Sequence, residues 1–75
     1  MQTPLFGSWA VEVLGVRPYA IHGDQYYELN VVKEGEGTPF VLKVPVHAVA
    51  GEPKHGQKLK VTFLMGQVTS AKPPT

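Results

Sequence analysis

Apolar residues fall on every second position of this chain, in five short runs separated by Gly, Pro, Asp and His. Leu59, Val61, Phe63 and Met65 alternate with Lys58, Lys60 and Thr62. Phe40, Leu42, Val44 and Val46 alternate with Val41, Lys43 and Pro45. Successive side chains of a strand point to opposite faces, so this period of two builds a sheet with one buried face. The expected core is Val11, Val13, Leu29, Val31, Leu42, Val44, Val61, Phe63 and Val68, which share the inward parity. Trp9, Tyr27 and Phe40 share it too, and an aromatic ring at that parity is expected to pack inside.

Glycine and proline punctuate the runs. The first covers Leu5 to Val16, with Gly7 and Gly15 expected to mark a bulge or a bend. Pro18 is expected to stop its ladder, and Gly23-Asp24 to turn the chain. The second run is Gln25 to Lys33, followed by a Glu34–Gly37 hairpin loop. The third is Thr38 to Val46, bracketed by Pro39 and Pro45. Alternation then breaks as far as Gln57. There His47–Ala50 is expected to form one helical turn that Gly51 ends. The fourth run is Lys58 to Met65, a tight turn lies near Gly66, and the fifth run is Gln67 to Ala71. Residues 1–72 read as one domain and 73–75 as a frayed tail.

Three meandering strands, a short break and a final hairpin resemble the oligonucleotide/oligosaccharide-binding (OB) barrel. The residues behind the resemblance are Gly7 and Gly15 in a long first strand, the break at His47–Gln57, and the Met65-Gly66 turn. The resemblance covers nearly the whole chain and is architectural, since no family motif is matched. It implies an all-β fold, a small five-stranded antiparallel Greek-key barrel, with a short helical or irregular turn between strands 3 and 4. An SH3-like barrel also has five strands. It usually places its helical turn before the last strand, where this chain has only a tight turn.

A chain of 75 residues buries only about 60% of its unfolded surface. Self-association would add burial, so a homo-oligomer is expected. The absence of cysteine excludes disulfides, thiolate zinc sites and a Cys nucleophile. No segment approaches the ~20 apolar residues of a membrane span. Met1-Gln2-Thr3-Pro4 lacks the basic region and apolar core of a secretory signal. The expectation is a soluble, cytoplasmic protein without a membrane partner. Net charge is only +1, yet it is unevenly spread. Through Leu42, Arg17 and Lys33 face five carboxylates; beyond it, five lysines face Glu52 alone. Such asymmetry fits a solvated basic face, an acidic partner or head-to-tail self-association.

Catalytic signatures are missing. The chain has no phosphate-binding glycine loop, no HExxH pair and no GxSxG elbow. His22, His47 and His55 fall in expected loops at spacings that match no common metal motif. Glu12 and Glu28 share an outer face, where two carboxylates are ordinarily surface charges. No enzyme activity, metal or cofactor is expected.

Binding residues are more legible. The OB resemblance implies a ligand face on strands 2 and 3, rimmed by the loops after strands 1 and 4. Single strands bind such faces by stacking bases on exposed rings while cations follow the phosphates. The matching positions are Arg17, Tyr19, Tyr26, Asn30, Val41 and Lys43, with His22 and Lys33 near the rims. All but His22 make up the expected site of seven residues, so single-stranded DNA or RNA is the expected partner. Glu12 and Glu28 on the same face would repel phosphate. The alternative is a protein-interaction or assembly module. It would use Val32, Val41 and Leu64 as an apolar patch, or an exposed strand edge.

Overall fold

A computed structural model describes residues 5–74. The stretch Met1–Pro4 and the last tail residue, Thr75, lie outside the described residues. Five strands form one antiparallel sheet: β1 (Phe6–Ile21), β2 (Asp24–Lys33), β3 (Pro39–Pro45), β4 (Lys58–Leu64) and β5 (Gln67–Lys72). A single 3-10 turn, Val46–Ala48, lies between β3 and β4. No described helix is long and apolar enough to cross a membrane.

The strand order is β3-β2-β1-β4-β5. The long first strand holds the sheet together by changing neighbours. Phe6–Glu12 pairs with β4, and Val11–Ile21 pairs with β2. The change coincides with a bulge: Val13 lies opposite Val31 and Gly15 opposite Asn30, leaving Leu14 as the extra residue. At that point Val13 donates to the Gln57 carbonyl at 2.8 Å and accepts from Gly56 at 2.7 Å. A bulge adds local twist and bends its strand. That bend curls the sheet so that β3 and β5 approach each other. No ladder joins them, and the sheet stays open along this seam. Just past β3, Val49 bridges Ala71, and Ala50 donates to the Ala71 carbonyl at 2.9 Å.

Parity predicts most of the interior. Val11, Val13, Leu29, Val31, Leu42, Val44, Val61 and Phe63 are all buried. Val68 is half-buried against them. Trp9 is also half-buried, its ring edge-on to Phe40 at 5.7 Å and to Phe63 at 5.4 Å. Leu59, Val49 and Ala71 complete the core.

Three local expectations change. Pro18 does not end the first ladder, for it lies opposite Tyr27 and β1 runs on to Ile21. There β1 has a neighbour on one side only, so a missing N–H on the other side breaks nothing. Met65 is not inward: it sits in the β4–β5 turn at φ 55° and is exposed. The helical turn is shorter than His47–Ala50 because Val49 leaves it to pair with Ala71. Gly51, at φ 79°, follows in a left-handed conformation that glycine adopts without strain.

Candidate nucleic-acid interface

Residues opposite one another in an antiparallel ladder point to the same face. The β1–β2 and β2–β3 registers therefore lay out three outward rows. Tyr19, Tyr26 and Pro45 form the first; Arg17, Glu28 and Lys43 the second; Gly15, Asn30 and Val41 the third. Six of the seven expected site residues come together on this face. Lys33 does not. It lies opposite Val11 and carries the inward parity of Val31, two residues before it. Its ammonium sits 4.4 Å from the Trp9 ring centre and 3.7 Å from the Glu36 carboxylate.

The first row is aromatic. Tyr19 and Tyr26 stack with ring centres 5.4 Å apart and 19° between their planes. Both are half-buried. The second row is ionic: Arg17 Nη2 donates to Glu28 Oε2 at 2.9 Å. That hydrogen bond holds the Glu28 carboxyl below its ordinary range, and the charges of Arg17 and Lys43 pull the same way. It also raises the Arg17 guanidinium above its ordinary value. Lys43 forms no ion pair among the described residues, so it is the cation on this face left for a ligand.

A groove of about 630 Å³ opens along the β3–β5 seam. Tyr26, Lys43 and Pro45 border it on one side, Gly66, Gln67 and Val68 on the other, and Phe63 also contributes. Sequence parity points Tyr26 and Lys43 outward but gives no sign that the β4–β5 turn would face them. The bend at Leu14–Gly15, which creates this seam, is a three-dimensional consequence of the bulge. Gln67 and Val68 were therefore outside the expected site.

The supposed apolar patch is divided. Val32 lies opposite Pro39 and Val41 opposite Asn30, so the two valines are diagonal neighbours rather than partners. Leu64 stands on the other half of the sheet, opposite Phe6. Among the described residues no three His, Asp or Glu side chains gather in a way that could hold a metal ion. No protein-family model, curated protein or solved structure matches this chain significantly.

Proposed function

We propose that the chain is a non-catalytic module of the OB type that binds single-stranded DNA or RNA in the β3–β5 groove. The observation that carries this reading is the makeup of the groove. A tyrosine backed by a second stacked ring, a lysine with no ion pair among the described residues and apolar walls all open onto one cleft. A base stacks on Tyr26, and Lys43 takes a neighbouring phosphate. The cleft adjoins the outer face of β2 and β3 and the β4–β5 turn, the region where OB barrels take their ligands.

A protein partner adding a strand at the seam is the rival reading. The β3 edge disfavours it, because Pro39 and Pro45 lack N–H donors and Lys43 adds a charge. Short edge strands carrying Pro and Lys resist added strands.

Fluorescence anisotropy with labelled single strands at two salt concentrations tests the reading. Each neutralised phosphate contributes a slope of about 0.7 in log affinity against log salt for single strands. With Lys43 as the one cation of the groove that forms no ion pair among the described residues, a short strand is expected to bind with a slope of about 0.7. Absence of salt-dependent binding to any strand overturns the proposal and leaves the strand-addition reading in its place.

A further inference from the structure

The outer face of β1, β4 and β5 carries a second set of rows, away from the one described above. Phe6, Leu64 and Gln67 stand side by side in the first. Ser8, Thr62 and Ser70 form the second, with Ser8 Oγ and Thr62 Oγ1 hydrogen-bonded at 3.1 Å. Ala10, Lys60 and Lys72 form the third.

Lys60 and Lys72 are direct cross-strand partners. Like charges in that position destabilise a sheet unless something of opposite charge lies between them. Among the described residues no carboxylate forms an ion pair with either lysine. The ion pairs there are Arg17–Glu28, Lys33–Glu36 and Lys58–Glu34. Even Lys58, one outward step from Lys60, has its carboxylate. Ala10 fills the neighbouring position on β1 with a methyl group and leaves the ammoniums uncovered. An anion suits this place.

One end of the face is aromatic. Phe6 is 60% exposed and stands about 13 Å from the lysine row, four residues along the strand. An exposed ring, a row of hydroxyls and two free ammoniums follow one another along the strands. Rings for bases and cations for phosphates are what a sequence-tolerant single-strand surface requires. The face is also continuous with the groove, since Gln67 belongs to both.

We propose that a single strand held at Tyr26 and Lys43 continues over the β4–β5 turn onto this face. There Phe6 stacks a base and the Lys60–Lys72 pair takes the backbone phosphates. This extension rests on the groove reading above. Leu5, Leu64 and Met65 are exposed nearby and would also meet a lipid surface. The paired lysines and the continuity with the groove favour the nucleic-acid strand.

The test uses labelled oligothymidylates of about 5 and about 15 nucleotides, near the two ends of known site sizes. Wild type is compared with Lys60→Gln/Lys72→Gln, Phe6→Ala and Tyr26→Ala, each checked for folding by thermal melting. The lysine double variant is expected to bind the longer strand with a salt slope lower by about 1.4, and the shorter one unchanged. Phe6→Ala is expected to weaken the longer strand alone by roughly tenfold. If both variants bind the longer strand as wild type does while Tyr26→Ala weakens both lengths, the extension is overturned and the groove reading stands. If wild type binds neither length, both readings fall. Lysine-dependent binding to phosphatidylserine vesicles without strand binding would then identify a lipid surface as the ligand.

Discussion

Tyr19 lies directly opposite Tyr26 across the β1–β2 ladder, and the two rings stack at 5.4 Å. The pair sits three steps from the β1–β2 turn, on the outward face, where neither ring belongs to the core. Tyr26 borders the groove and Tyr19 does not. The arrangement separates a contacting ring from a supporting one.

Tyr26→Ala is therefore expected to weaken single-strand binding by about 1–3 kcal/mol. Tyr19→Ala acts only by loosening its partner and is expected to weaken binding by less. Tyr26→Phe keeps the ring and is expected to bind nearly as wild type does. Anisotropy titrations at fixed salt check the order. Equal losses for Tyr19→Ala and Tyr26→Ala would place both rings on the ligand.

Glu28 tests the electrostatics. Its carboxylate occupies Arg17 and lies on the same row as Lys43. Glu28→Gln removes the negative charge and releases the guanidinium, so binding is expected to strengthen. Its salt slope should steepen by about 0.7 if Arg17 gains one phosphate. Weaker binding would show that the ion pair positions Arg17 rather than competing for it.

The same residue gives a pH dependence with a defined sign. The hydrogen bond from Arg17 lowers the Glu28 pKa in the folded state from its ordinary value of 4.5. The pair's contribution is thus present above that value and lost as pH falls through the lowered one. Melting temperature is expected to fall less steeply below pH 4.5 in Glu28→Gln than in wild type. Identical acid limbs would mean that the pair contributes nothing to folding.

Phe63 is 2% exposed and packs edge-on against Trp9. Truncating it to Ala is expected to destabilise the fold by about 3–5 kcal/mol, read by urea denaturation. Loss of that ring also unseats Trp9, so quenched or shifted tryptophan fluorescence should accompany the change. A wild-type denaturation midpoint would contradict the packing.

The sequence discloses faces far better than it discloses neighbours. A period of two is a local property, and it assigned the burial of Leu29, Val31, Leu42, Val44, Val61 and Phe63 correctly. Seam residues such as Gln67 became visible only once the bulge at Leu14 set the curvature. Val49 and Ala71 were missed for a related reason. Ala71 faces inward opposite Val61 because an irregularity in the β4–β5 ladder shifts it off the parity of Val68. Val49 reaches Ala71 through a single bridge between distant segments, and no local pattern encodes either. Lys33 was misplaced through its chemistry rather than its parity. A charged residue next to a loop reads as rim, yet an inward lysine can rest its stem on the Trp9 ring and keep its head in water.

The Lys60–Lys72 relationship permits a test in which stability and binding move oppositely. Lys72→Glu turns a repelling cross-strand pair into an attracting one, which is expected to stabilise the sheet by about 0.2–1 kcal/mol. The same substitution removes one phosphate contact and adds repulsion, so a strand long enough to reach this face should bind more weakly. Urea denaturation and anisotropy on one preparation of the variant read both quantities. A destabilised variant would show that the two side chains splay apart in solution. A stabilised variant with unchanged long-strand binding would show that the ligand ends at the groove.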